Sequence, residues 1–340
     1  MNYRSLDDLN TTILRGMGLL PEDIDLIVGI PRSGLLAANL LSLGLNAPMA
    51  DLEGFCEGRI LSAGRTRRVR QLDRPPAAVR HALVIDDSIS SGQSMRAARE
   101  RVEAAGLAAK VTFAAVYGDR RHHPEVDFVF ETVTQPRFFQ WNILHHDILR
   151  HSCVDIDGVL CHDPTEAQND DGENYAAFLD RAVPLFRPTM PIGRLVTSRL
   201  ERYRGQTEAW LARQDIQYDE LVMLDLPDAE TRRRLGAHGS FKADVFRRSD
   251  ALLFIESEHH QAEQIAAASG KPVLCTHCFE LISPAAASLA TLSASARTLP
   301  LRVRLKRTPL TDVNAMRALA RRVLGDKGYA IAKKLAGRGQ

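Results

Sequence analysis

The 340-residue chain has no apolar run approaching the ~18 residues a membrane span needs. It opens on MNYRSLDDLNTTIL, polar and acidic where a secretory signal needs a basic end and an apolar core, so the sequence predicts a cytoplasmic protein. Cysteine is scarce: five residues, an odd number without a repeating framework, which fits a reducing compartment. Only Cys275 and Cys278 are spaced as CxxC, and no second pair accompanies them. Buried or loop thiols are the preferred reading there over a zinc held by these two with His277 or Cys161. Excess charge is also lacking: a net +2 does not draw the whole molecule to polyanions. The distribution is uneven, because residues 296–340 hold twelve Lys or Arg against Asp312 and Asp326, about +10, which leaves about −8 for the rest.

What is present points to two domains, the prior for this length. In HALVIDDSISSGQS (81–94) four apolar residues, Ala82 to Ile85, read as a buried strand ending in Asp86 and Asp87. A loop of small hydroxylated residues follows: Ser88, Ser90, Ser91 and Ser94 supply hydroxyl donors, and Gly92 lets the backbone come close to an anion. A helix from Gln93 adds its positive end. Two carboxylates repel a bare phosphate but suit the hydroxyls of a sugar attached to it, or a Mg²⁺ nearby. The expected ligand is a sugar phosphate.

This stretch resembles the signature of type I phosphoribosyltransferases, whose donor is phosphoribosyl pyrophosphate (PRPP). The resemblance implies that Asp86 and Asp87 face the ribose hydroxyls and that Ser88, Ser90, Ser91, Gly92 and Ser94 wrap the 5-phosphate. Upstream, residues 1–23 read as a helical lead-in and Leu26–Ile30 as a short strand before PRSG and a buried helix over 35–43. Arg32, Ser33 and Gly34 stand at the family's pyrophosphate loop. The basic stretch 54–76 corresponds to a loop that closes over PRPP, with Arg65, Arg67, Arg68 or Arg70 as its cation. Strands over 110–117 and 126–130 complete a parallel sheet. In RFFQWNILHH, Phe138, Phe139 and Trp141 serve equally well as an acceptor platform or as packing.

A second constellation is SCVDIDGVLCHD (152–163), where Asp155 and Asp157 close a buried strand, Cys153–Ile156. Two acids one residue apart on a strand point the same way, as a Mg²⁺ and an in-line phosphoryl transfer require. The string resembles the first motif of haloacid dehalogenase (HAD)-like phosphatases. The resemblance implies Asp155 as nucleophile, forming an aspartyl phosphate, and Asp157 as acid and base. It implies Thr197 in RLVTSR as the phosphate-binding hydroxyl, with Ser198 its neighbour and competitor. Lys242 would neutralise charge, and Glu256, or Glu258, would complete the metal ligands with Asp155 and Asp157. About thirty residues between Leu160 and Arg194 are short for a cap.

The expected fold is α/β in two domains: a phosphoribosyltransferase-like parallel sheet over 1–148 and a HAD-like Rossmannoid domain with a small or absent cap over 149–285. A basic helical extension spans 286–340. The expected activity is transfer of 5-phosphoribosyl from PRPP to an acceptor, followed by hydrolysis of the 5-phosphate, with Mg²⁺ as cofactor. The pairing is similar to two-domain ribofuranosyltransferases of bacterial surface-polysaccharide synthesis, which implies a glycan acceptor. Nucleobase salvage with a nucleotidase partner, and PRPP sensing by a regulator, are the alternatives. The tail reads as a packed helix with a basic face, or as a peripheral contact at the inner face of the membrane or with a lipid-linked glycan. Nucleic acid is not expected.

Overall fold

The computed structural model describes residues 1–61, 79–228 and 237–284, together with Thr231 and Arg234. Arg65, Arg67, Arg68 and Arg70 of the basic loop and the tail from 286 onward lie outside the described residues. The described residues all belong to one compact unit, Met1–Ala290. Among the described residues no helix is long and apolar enough to cross a membrane.

The first half is a five-stranded parallel sheet in the order β3-β2-β4-β5-β6. Its strands are β2 (Leu26–Gly29), β3 (Met49–Asp51), β4 (His81–Ile89), β5 (Lys110–Gly118) and β6 (Phe128–Thr132). Apolar residues run continuously through β2 and the start of β4 because both faces are covered, as parallel strands require. Side chains alternate between the faces. Leu26 and Val28 pack with Met95, Ala98 and Val102 of α4 (Gln93–Ala104) and with Phe55 of α3 (Leu52–Cys56). Ile27 faces the other way, onto Leu9 and Ile13 of α1 (Leu6–Gly16) and Leu41 of α2 (Ser33–Leu45).

The lead-in is not all helix. β1 (Asn2–Arg4) precedes α1 and pairs in parallel with β7 (Arg137–Phe139), and Ser5 then caps α1 through a capping box with Asp8. Three residues are too few to show an alternation in sequence, and their pairing partner lies far along the chain. β4 also departs from expectation: it continues through Asp86 and Asp87 to Ile89 instead of ending at the acids. The nine-residue β5 supplies the partners, Asp86 opposite Ala115 and Ser88 opposite Tyr117.

The second half is a six-stranded sheet in the order β10-β9-β8-β11-β12-β13, parallel except for the last pair. The strands are β8 (Ser152–Val154), β9 (Ile192–Leu200), β10 (Tyr218–Leu224), β11 (Leu253–Glu256), β12 (Val273–Cys275) and β13 (Glu280–Ile282). One face meets α5 (Glu173–Arg181) and α6 (Arg204–Arg213) through Tyr175, Phe178, Trp210 and Leu211. The other meets α7 (Ala237–Arg248) and α8 (His259–Ser269) through Phe246, Ala262 and Ile265. The stretch from 161 to 191 therefore contributes α5 to the domain's own helix layer. Phe138, Ile143, Leu144 and Ile148 pack in this second core although they lie within the expected first domain, 1–148, because the aromatic segment bridges the two sheets.

Candidate active sites

The first site forms where β4 and the start of α2 meet. The Pro31–Arg32 peptide is cis, and Ser33 and Gly34 open α2. Gly34 lies directly against the acids: a Cβ there would stand 2.9 Å from Asp86 Oδ1 and 2.9 Å from Ile85 O, so only glycine permits this approach. Asp87 is buried and accepts hydrogen bonds from Ser33 Oγ (2.7 Å) and Trp141 Nε1 (2.8 Å). Asp86 accepts from the Asp87 N–H at 2.9 Å, and its carboxyl is pushed up to about 8, first by burial and then by the adjacent Asp87 carboxylate.

Beyond β4 the chain turns through Ser90 and Ser91 into α4, with Gly92 at φ 78°, a conformation glycine adopts without strain. Ser90, Ser91 and Ser94 are exposed, and Ser88 and Arg32 flank them, half-buried and exposed respectively. Two buried side chains hold the turn: His123 Nε2 donates to Ser90 O (3.1 Å), and Arg137 donates to Ile89 O (2.7 Å) and Val133 O (3.1 Å). The loop is thus fixed through its backbone while its hydroxyls stay open to solvent.

Of the aromatic residues left open by the sequence, Phe138 packs against Tyr3 (ring centroids 5.3 Å apart) in the second core. Phe139 stacks against both Tyr117 (5.3 Å) and Trp141 (4.9 Å, interplanar angle 5°), which are themselves 6.3 Å apart. Only Trp141 touches the acid tip, through its indole N–H.

The second site lies at the C-terminal ends of β8 and β11. Its cavity of about 270 Å³ is lined by Asp155, Asp157, Asp163, Ser198, Lys242 and Glu256, among others. Lys242 Nζ, on α7, donates to Asp155 Oδ2 (2.5 Å), Glu256 Oε2 (2.7 Å) and Gln261 Oε1 (3.3 Å). Burial pushes the Asp155 carboxyl up, Glu256 and Asp157 add to this, and Lys242 opposes it. Glu256 belongs to this cluster, whereas Glu258 caps α8, accepting from the N–H groups of His260 and Gln261.

The hydroxyl on the cavity wall is Ser198. Thr197 is fully buried and accepts from the Arg199 N–H at 3.2 Å. Strand alternation decides this: adjacent side chains of β9 face opposite sides, so only one of the pair lines the cleft.

Sequence reasoning missed Arg199 and Asp163. The Arg199 side chain is fully buried and grips Asp157 (Nη2–Oδ1 2.6 Å, Nε–Oδ2 3.1 Å). Burial would raise the Asp157 carboxyl, but the Arg199 charge and hydrogen bonds outweigh it and hold the carboxyl low. An arginine inside the apolar strand RLVTSRL was the available signal, because a buried cation requires a partner. Asp163 is exposed at the mouth of this cavity, and its carboxyl is raised, by loss of solvation first and by Asp157 and Glu256 next.

When all are ionised, Asp155, Asp157, Asp163 and Glu256 outnumber Lys242 and Arg199 by two charges. Hard carboxylate oxygens with an uncompensated double negative charge fit a divalent cation such as Mg²⁺.

Residues 6–147 match the family model described as "Phosphoribosyl transferase domain", so the N-terminal part of this chain carries such a domain. Solved structures show similarity at low identity. Helicobacter pylori xanthine-guanine-hypoxanthine phosphoribosyltransferase is 13% identical over 42% of this chain and 92% of that one, with a TM-score of 0.28. A purine phosphoribosyltransferase from Pyrococcus horikoshii is 18% identical over 42% of this chain and 95% of its own, at 0.28. A chain of the Pnkp1/Rnl/Hen1 complex is 17% identical over 74% of this chain and 94% of that one, at 0.23. No curated protein matches the chain.

Proposed function

We propose that the protein is a bifunctional phosphoribosyltransferase and phosphatase, in which the second site removes the phosphate that the first site uses as a handle. One observation carries this: a buried carboxylate–lysine cluster, Asp155–Lys242–Glu256, stands in the same chain as the Asp86–Asp87 tip of a phosphoribosyltransferase domain. The second sheet supports a Rossmannoid, HAD-like assignment, since its parallel strands follow the order third, second, first, fourth, fifth, with the cluster at their carboxyl ends.

In the transfer step Asp86 and Asp87 position the ribose of PRPP. The turn Ser88–Ser94 holds its 5-phosphate, and Arg32, Ser33 and Gly34 receive the departing pyrophosphate. Ser33 couples the two ends of this site through its bond to Asp87.

In the hydrolytic step an Asp155 oxygen attacks phosphorus and the ribosyl C5–O bond is kept. The P–O bond to the sugar breaks, and the alcohol leaves with a proton from the Asp157 carboxyl, which regains one when water attacks. Water then attacks the aspartyl phosphate, giving inorganic phosphate and free Asp155. Asp155, Asp157 and Glu256 would hold Mg²⁺, which supplies charge neutralisation at the phosphoryl oxygens. Lys242 compensates the Asp155 and Glu256 carboxylates, and Ser198, or Thr197 by resemblance, donates to the phosphate. Arg199 keeps Asp157 ionised, which suits activation of water; donation to the leaving alcohol requires that grip to loosen.

We place the acceptor among glycans, on the pairing of the two activities. A nucleobase is the competing acceptor, favoured by the indole of Trp141 beside Asp87, a flat surface on which a base can stack. Pyrophosphate release from PRPP, measured against a panel of oligosaccharides and free bases, tests the assignment. Release with an oligosaccharide supports the glycan reading, and release with a base moves the acceptor to nucleobases. PRPP binding with no release against any acceptor would leave a PRPP sensor and contradict the transferase.

A further inference from the structure

His259, Cys278 and Glu280 each present a ligand atom to a common space, all within 4.8 Å of one another. Only Cys278 of the CxxC pair takes part, and Cys275 and His277 are not among the three. His259 is the first residue of α8, Cys278 lies in the turn that joins β12 to β13, and Glu280 is the first residue of β13. Cys275, the other CxxC thiol, is buried in β12 and donates to Ser257 O at 3.3 Å, and Cys161 lies against Asp157 and Arg199.

The turn is well anchored. β12 and β13 pair with Cys275 opposite Glu280, Phe279 takes φ 51°, and Tyr3 Oη donates to Phe279 O at 2.8 Å. The histidine ring stands between two carboxylates. Its Nε2 is 3.6 Å from Glu280 Oε2, close to the roughly 3.5 Å that separates N and O donors on a tetrahedral ion. Its other ring nitrogen, Nδ1, faces Glu263 Oε2 at 4.0 Å. That gap is longer than a hydrogen bond, and a small rotation of the Glu263 side chain would close it into the carboxylate contact that fixes the tautomer and ring angle of a ligating histidine.

We infer that His259, Cys278 and Glu280 form a binding site for a zinc-class divalent ion, separate from the Mg²⁺ expected at Asp155. A thiolate, an imidazole and one carboxylate are too soft a set for Mg²⁺ and suit Zn²⁺ or Co²⁺. Binding would draw the widest pair of donors together by about 1 Å, within reach of the exposed side chains of Cys278 and Glu280, with the Cys278 proton passing to solvent. Three protein donors leave one position open. His259 also lines a cavity of about 530 Å³ that shares Asp163, Ser257 and Glu258 with the Asp155 cavity. The ion would therefore stand at the rim of the hydrolytic cleft.

The full-length reduced chain can be titrated with Co²⁺ and followed by absorption. The expected result is a near-ultraviolet thiolate-to-cobalt band with the strong visible bands of four-coordinate cobalt, both abolished by added Zn²⁺. Octahedral, all-oxygen binding at Asp155 gives no thiolate band. Cys278→Ser and His259→Gln should each remove it, and Glu263→Gln should weaken binding by about tenfold. Absence of a thiolate band in the unmodified chain, or its survival in Cys278→Ser, would overturn the assignment.

Discussion

Asp87 shares one buried carboxylate between two donors from different elements, the hydroxyl of Ser33 and the indole of Trp141. Trp141→Phe keeps a ring against Phe139 but removes the N–H. Because a bond to a charged group is worth ~1.5–3 kcal/mol, urea denaturation should show a loss of that order, together with weaker PRPP binding. Unchanged stability would mean that the bond contributes nothing. Asp86 adds a pH dependence. Its folded carboxyl stands at about 8, above the ordinary 3.8, so the ligand-free fold favours the protonated acid. That stabilisation is complete below the ordinary value and is lost as pH rises through 8. Asp86→Asn cannot titrate, so its melting temperature should gain on the parent's between pH 4 and 8; parallel curves would contradict this. The two acids were legible in sequence because they stand together behind an apolar strand. Their partners were not: Ser33 and Trp141 each lie 54 positions from Asp87, and Arg199 lies 42 from Asp157, distances at which no local pattern exists.

β7 shows what a strand of three residues can do when its faces differ. Phe138 enters the second core beside Tyr3 and Phe139 enters the first beside Tyr117, so neighbouring side chains tie the two sheets together. Truncating either ring to alanine should cost ~3–5 kcal/mol. Hydrogen exchange separates them: Phe138→Ala should loosen amides of β8 and β9 first, and Phe139→Ala those of β4 and β5. Identical exchange patterns would show that the two cores open as one. Apolar runs identified the buried strands β2 and β5 and the start of β4, which carry their own signal. Such runs did not identify β1, or the continuation of β4 past Asp87, because both depend on pairing with a distant strand. The choice between Thr197 and Ser198 had the same origin: which face of β9 meets the cleft is decided by the helices packed against it.

Together the two sheets place the Asp86–Ser94 turn and the Asp155–Lys242–Glu256 cluster in one compact unit, each at the carboxyl ends of parallel strands. The proposed order of events makes the first site's product the second site's substrate, and a change confined to Asp155 should break the sequence at one known point. The direct measurement is mass spectrometry of the acceptor product after incubation with PRPP, comparing the parent with Asp155→Asn, alongside release of pyrophosphate and inorganic phosphate. The parent should give a ribosylated product with both pyrophosphate and phosphate released. Asp155→Asn should give a product heavier by one phosphate group, with pyrophosphate release retained and phosphate release lost. A fully dephosphorylated product from Asp155→Asn would contradict the account.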